Sequence, residues 1–279
     1  MARPLNHLLR PFVPNVSVRI RHVEPEMTLE VRFREHLGLI ARGARAYEPR
    51  YVAVLKTLLG PEDTVFDVGA NIGFYAVLFS RWVGPAGKVI AYEPDSANVT
   101  LLQRNLESNG CENTVVREIA LSDKTGEDQF SLDTVTRSTG HLGPGPTYAE
   151  TIFGDATETA VTVSTGTLDE EAERWGPPNL IKLDIEGGEF DVLNGGVGLL
   201  DRDGPFVVSE LNTWNEEQSV GATRAALATE LLCDHGYRLW NLDDGSRVLP
   251  GDAVWTVLGV RDDRVGEPPV IRVLENLAG

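Results

Sequence analysis

The chain has few cysteines, few histidines, no long apolar run and a shortage of positive charge, and each lack removes a class of function. Its two cysteines, Cys111 and Cys233, stand far apart with no CxxC pair. That argues against a zinc ribbon or a disulfide framework and fits a reducing, cytoplasmic setting. The five histidines, His7, His22, His36, His141 and His235, include no pair at metal-ligand spacing. No stretch approaches the roughly 20 apolar residues that cross a bilayer. Pro4, Pro11 and Pro14 interrupt the arginine-bearing N-terminus before any apolar h-region, so no signal peptide is expected. Lys plus Arg number 25 against 42 Asp plus Glu, a net charge of −17. A field of that sign repels phosphate backbones, which excludes nucleic acid as an expected partner.

What is present is a rhythm. The 279 residues suit one large α/β domain or two smaller ones. Residues 16–21 (VSVRIR) and 29–33 (LEVRF) alternate apolar and charged, as half-exposed strands do. A helical pattern over 51–59 stops at Gly60-Pro61. Then follow a strand at 64–68, a tight loop at 69–73, a helix at 74–83, a strand at 88–92, a helix at 96–109 and a third strand at 114–121. Between 122 and 167 the rhythm breaks: strands at 127–132 and 159–163 flank a Gly/Pro-rich stretch, and residues 138–155 are expected to form a lid-like insertion. It resumes with a strand at 180–185, a helix opening at 189, a strand at 206–211 and a helix at 224–235. An antiparallel pair at 237–242 and 253–260 closes the pattern. Strands alternating with helices predict a parallel α/β sheet.

The strongest local signal is Asp67-Val-Gly69-Ala-Asn71-Ile-Gly73, where strand gives way to helix. Glycines there let the chain turn tightly and let a ligand approach the backbone. Glu93 ends the next strand, at the distance where a carboxylate takes ribose hydroxyls. A dinucleotide is disfavoured, because the loop is GxNxG and Asp67 would repel a pyrophosphate. A ligand with a cationic amino-acid end, as in S-adenosylmethionine, would instead find a partner in Asp67.

Beyond this loop, the strings TVFDVGANIGFYAVLFSRWVGPAGKVIAYEPDSANVTLLQRNLESNG, IALSDKTG, TLDE and IKLDIEGGEFDVLNGG resemble the FkbM family of S-adenosylmethionine-dependent methyltransferases, over about residues 47–211. The resemblance implies a Rossmann-like class I methyltransferase sheet, mostly parallel with an antiparallel last strand. It also implies S-adenosyl-L-methionine as cofactor, S-adenosyl-L-homocysteine as product, and transfer to an oxygen of a small molecule, often a sugar or natural-product intermediate. It puts the cofactor loop on Asp67, Gly69, Asn71 and Gly73, the ribose acid on Glu93, and the adenine site on Ala120, Leu121 and Ser122 at the end of the third strand. Residues 1–46 then form an N-terminal extension that caps the acceptor site, 47–262 the methyltransferase domain and 263–279 a C-terminal tail.

Alternation along Lys182-Leu-Asp184-Ile-Glu186 sends the three charged residues to one side, and Glu210 ends the next strand in the same layer. Ligands of open α/β sheets bind outside the carboxyl ends of the strands, so Asp184, Glu186 and Glu210 are the candidate base and acceptor-binding groups. The plainer alternative is that Asp184 and Glu186 only complement a helix dipole. Oxygen ligands would suit magnesium, but the spacing does not establish a metal. Of the histidines, only His141 could reach the site as a base, the favoured reading being a solvated loop histidine; Asn212 and Trp214 could line the site, although a large aromatic more often serves packing. The alternatives to an O-methyltransferase are an N-methyltransferase on a small amine or amide, a non-catalytic cofactor-binding protein of the same fold, and a nicotinamide oxidoreductase.

Overall fold

The computed structural model describes residues 16–21, 27–33, 35–36, 40, 48–132, 137, 139–143, 159–211 and 221–278. Its centre is an eight-stranded sheet of β3 (Thr64–Val68), β4 (Lys88–Tyr92), β5 (Thr114–Arg117), β10 (Leu180–Leu183), β11 (Phe206–Glu210), β12 (Tyr237–Asn241), β13 (Arg247–Val248) and β14 (Thr256–Arg261), in the order β13-β12-β14-β11-β10-β3-β4-β5. Strands β5, β4, β3, β10 and β11 pair in parallel, while β14 runs antiparallel to both of its neighbours. This is the expected Rossmann-like sheet. The chain runs outward from β3 to β5 and returns to β10 on the other side of β3, so a crevice opens between the carboxyl ends of β3 and β10.

Parallel strands are buried on both faces, which is why TVFDV, KVIAY and LIKL read as nearly unbroken apolar runs. One face packs against α1 (Pro49–Leu58), α2 (Phe74–Val83), α3 (Ser96–Ser108) and α8 (Pro268–Ala278). The other packs against α4 (Leu168–Trp175), α5 (Glu189–Asn194), α6 (Val197–Arg202) and α7 (Gly221–Asp234). Segment 263–279, expected to be a tail, is thus largely a core element: Val270, Val273 and Leu277 are buried with α1. No helix among the described residues is long and apolar enough to cross a membrane.

The third strand is shorter than its apolar pattern suggests. It ends at Arg117, and Ala120–Leu121 form β6 in a separate sheet, ordered β6-β9-β7-β8 with β9 (Ala160–Gly166), β7 (Gly126–Ser131) and β8 (His141–Leu142). The insertion therefore supplies its own sheet. Most of the expected lid, 144–155, lies outside the described residues, as do Asn212 and Trp214.

In the N-terminal extension, β1 (Ser17–Arg21) and β2 (Thr28–Arg32) form an antiparallel hairpin. The outer edge of β2 is satisfied by two asparagines of α3. The Asn105 amide accepts from Glu30 N (2.6 Å) and donates to Glu30 O (3.0 Å) and Ile72 O (2.8 Å). Asn109 does the same at Thr28. Asn105→Ala would orphan a strand edge and the glycine-loop carbonyl of Ile72, so a loss of roughly 2–4 kcal/mol is expected. Urea unfolding would read it, and a loss below about 1 kcal/mol would contradict this account.

Candidate active site

A cavity of about 380 Å³ opens at the crevice. Its floor is Val68 to Ile72, its far wall Tyr92 to Asp95, and its acidic end Glu48, Asp184, Glu186 and Glu210. Ala120, Leu121, Phe130 and Leu142 form an apolar end, and Glu35 and His36 of the N-terminal extension and Arg137 of the 122–167 segment also line the cavity.

The glycine loop is fixed by its own backbone. Gly69 has φ +77°, and a Cβ on it would lie 1.9 Å from the Asp184 carbonyl oxygen, so β3 and β10 can meet only at a glycine. Every amide from 69 to 73 is already used. Gly69 and Ala70 donate to Tyr92 O, Asn71 to Glu93 Oε2 (2.9 Å), Ile72 to Asn71 Oδ1 and Gly73 to Ala70 O. A phosphate-binding loop needs free amides. This one offers none.

Glu93 is 5% exposed and accepts from Asn71 N, Asp95 N (3.0 Å) and Asn98 Nδ2 (3.3 Å) while lining the cavity. Burial pushes its carboxyl up to about 7. Glu189 behaves alike. It is buried at the start of α5, its Oε1 accepts from Gly187 N (3.1 Å) and Ile185 N (3.4 Å), and burial again raises it to about 7. Arg224 donates to Gly187 O (3.0 Å) and pairs with Asp191. Together they clasp the turn that carries Asp184 and Glu186.

Both raised carboxyls bind a proton more tightly folded than unfolded. Their stabilisation is complete below the ordinary carboxylate value and is lost as pH rises through about 7, worth up to about 3 kcal/mol each. The urea midpoint of the unliganded protein should fall from pH 5 to pH 8, and fall less in Glu189→Gln. An equal fall in that variant would refute the assignment for Glu189.

At the acidic end, Lys182 is 2% exposed and lies beside Asp67 in the β10–β3 register. Its ammonium donates to Gly69 O (3.0 Å), lies 3.5 Å from both Asp67 and Asp184, and sits over the Tyr75 ring. Burial alone would lower this lysine, but Asp184, Asp67, Glu210 and Glu48 together raise it, so it stays charged. Glu210 is pushed up to about 9 by burial, Asp184 and Glu48, and holds a proton at pH 7. Tyr75 OH donates to Glu48.

Of the sequence-derived site residues, Gly69, Asn71, Glu93, Ala120, Leu121, Asp184, Glu186 and Glu210 line one cavity. Asp67, Gly73 and Ser122 stand back from it. Asp67 is fully buried, 3.5 Å from the ammonium of Lys182, and it is Lys182 that lines the cavity. Gly73 caps α2 against Leu102, and Ser122 N bonds to Gly166 O. Glu186 does not continue the alternation: the strand ends at Leu183, and Glu186 turns at φ +62°. His141 is paired in β8 away from the cavity, whereas His36 lines it. Glu48, Lys182, His36, Arg137 and Glu189 were not identified from sequence as site residues. Only Lys182, a charge inside the buried run LIKL, carried a signal. Among the described residues, no group of three or more His, Cys, Asp or Glu side chains is placed to hold a metal.

The hexuronic acid methyltransferase AglP of Haloferax volcanii is 29% identical over 175 residues, 61% of this chain and 65% of that protein, so the chain spans just under two thirds of its relative's length. Among solved structures, the methyltransferase FkbM of Methylobacillus flagellatus KT gives a TM-score of 0.42 at 17% identity, over 72% of this chain and 44% of that one. An O-methyltransferase from Bacillus cereus in complex with SAH gives 0.45 at 13%, over 76% and 80%. Likenesses this distant say nothing about chemistry. The model of the methyltransferase FkbM domain, however, matches residues 67–239, well over half of the chain, from the glycine loop to β12. The chain belongs to the FkbM methyltransferase family.

Proposed function

We propose that the protein transfers a methyl group from S-adenosylmethionine to a hydroxyl of a small molecule, a sugar or a natural-product intermediate. One observation carries the reading: in a chain of the FkbM family, the Gly69 loop, Glu93 and the acids ending β10 and β11 line a single cavity at the sheet's switch point. The Haloferax relative is a hexuronic acid methyltransferase, which supports a sugar acceptor.

When bound, S-adenosylmethionine supplies the electrophilic methyl, carried on a sulfonium. The residues of this chain suit such a group. Gly69 lets the cavity floor form where β3 and β10 meet, Glu93 would accept hydrogen bonds from the ribose hydroxyls, and Ala120 and Leu121 would wall the adenine beside Phe130. Methyl transfer is an in-line displacement, so alignment of the acceptor oxygen is the main task. The acceptor's proton goes to a carboxylate within hydrogen-bond reach. Asp184 is favoured, because it is partly open to the cavity and has the Lys182 ammonium at 3.5 Å. Glu210 holds its own proton at pH 7 and donates a hydrogen bond to the acceptor, and Glu186 orients it.

Calorimetry should show that S-adenosylmethionine and S-adenosylhomocysteine bind and NAD does not. Glu93→Ala should weaken both by about tenfold or more, on the scale of a charged hydrogen bond. Preferential binding of NAD would refute the assignment. A labelled-methyl assay against neutral sugars, uronic acids and amines then tests the acceptor. The excess of carboxylates at Glu48, Asp184, Glu186 and Glu210 favours an amine as the second reading, and methylation of amines alone would establish it.

A further inference from the structure

We propose that His36 is a cofactor-binding residue whose Nε2–H donates a hydrogen bond to an oxygen of the methyl donor in the cavity. The proposal rests on the methyltransferase reading above.

His36 completes the outer edge of β2. Its outward amides, Thr28 N and Glu30 N, go to Asn109 and Asn105, and the next, Arg32 N, goes to His36 Nδ1 at 3.3 Å. The Arg32 carbonyl also lies 3.1 Å from Nδ1, but it already accepts from Glu35 N (3.1 Å) and His36 N (2.9 Å). An unprotonated Nδ1 therefore satisfies an amide that would otherwise be orphaned, and the ring proton resides on Nε2. Burial holds the imidazole below its ordinary value, so the ring is neutral at pH 7 and keeps a single N–H.

The ring lines the cavity, 8% exposed, and its Nε2 is buried with no hydrogen-bond partner among the described residues. A buried donor left unpaired is costly unless a ligand completes it. Nearby donors are already committed. All five amides of the glycine loop are used, Arg137 is bonded to Asp95 (2.8 Å), and the Lys182 ammonium is shared by Gly69 O, Asp67 and Asp184. The methyl donor's amino-acid end carries a carboxylate, which must be held in a cavity walled largely by carboxylates. His36 Nε2–H, buried and unpartnered at the cavity wall, is available to it, with a ribose oxygen as the other acceptor on the same molecule.

His36→Asn separates the two ring nitrogens. Its Oδ1 takes the place of Nδ1 against Arg32 N, and the distal N–H is deleted, whereas Gln restores a distal N–H. Calorimetry with S-adenosylhomocysteine should show binding weakened about 10- to 100-fold in His36→Asn and within about threefold of wild type in His36→Gln, with unfolding midpoints of the Asn variant unchanged. 5′-Methylthioadenosine, which lacks the amino-acid end, identifies the oxygen. Unaltered binding in His36→Asn points to the carboxylate, and equal weakening points to the ribose. In the unmutated protein, the His36 Nε2 proton should become slower to exchange with solvent and shift when S-adenosylhomocysteine is added. An unmoved proton signal, or His36→Asn binding S-adenosylhomocysteine within twofold of wild type, overturns the proposal, even if the acceptor's KM changes. Failure of the wild-type protein to bind S-adenosylhomocysteine would instead overturn the function proposed above.

Discussion

Replacing Gly69 by alanine is expected to abolish cofactor binding and to destabilise the protein by at least about 3 kcal/mol. The left-handed φ of +77° costs an L-residue roughly 1–2 kcal/mol. The larger cost is steric. The new Cβ would lie 1.9 Å from the Asp184 carbonyl oxygen, a backbone atom that cannot rotate away, and 3.0 Å from the Ile185 side chain. Relief requires the ends of β3 and β10 to separate, which moves Gly69 O away from Lys182 and disturbs the floor of the cavity. Affinity for S-adenosylhomocysteine should drop at least about 100-fold. Gly84 provides the control, because it has φ +70° with nothing within 4 Å of its virtual Cβ. Gly84→Ala should cost only the conformational part and leave affinity intact. If Gly69→Ala binds within about threefold of wild type, the close approach has no role in the site.

The second large effect concerns proton removal. Asp184→Asn should lower kcat about 10²–10⁴-fold with cofactor affinity nearly unchanged. Glu210→Gln should behave differently, since an amide resembles a carboxyl that already holds its proton at pH 7. It should keep kcat within about tenfold at pH 7 and chiefly raise the acceptor's KM. Glu186→Gln should fall between the two. Near wild-type turnover in all three variants would mean that no carboxylate base operates and that alignment alone accounts for catalysis. A larger loss in Glu210→Gln than in Asp184→Asn would reverse the two roles.

Most of the fold was legible because its signals are local. The buried strands TVFDV, KVIAY and FVVSE, the glycine at each tight turn and the amphipathic helices between them each constrain a few neighbouring residues. Where the reading failed, a non-local partner decided the outcome. TVVREIAL reads as one strand, yet Ala120 and Leu121 pair with Thr165 and Gly166, more than forty residues on, and leave the central sheet. LIKLDI reads as a strand of six, yet it stops at Leu183, where Asp184 and Ile185 close over Gly69 and Glu189 gathers the turn. Residues 263–279 carry no cue that α1 is waiting to pack against them.

The sequence by itself determined the sheet class and the glycine loop, and it singled out Glu93 and the acids from which the proposed base is drawn. Those features follow from residue type and short spacing, which survive without coordinates. The tertiary structure alone decided which charges face the ligand and in what state. Asp67 and Lys182 lie 115 positions apart, and only the β3–β10 register sets them side by side and takes Asp67 out of the cavity. His36 and Arg137 come from segments with no recognisable pattern: β2 docking on α3 brings the first to the cavity, and the second is held where its carbonyl accepts from Asn71 Nδ2. Protonation of Glu93, Glu189 and Glu210 depends on burial and on neighbours contributed by different elements. Those are long-range electrostatic quantities, and a linear pattern of residues does not contain them.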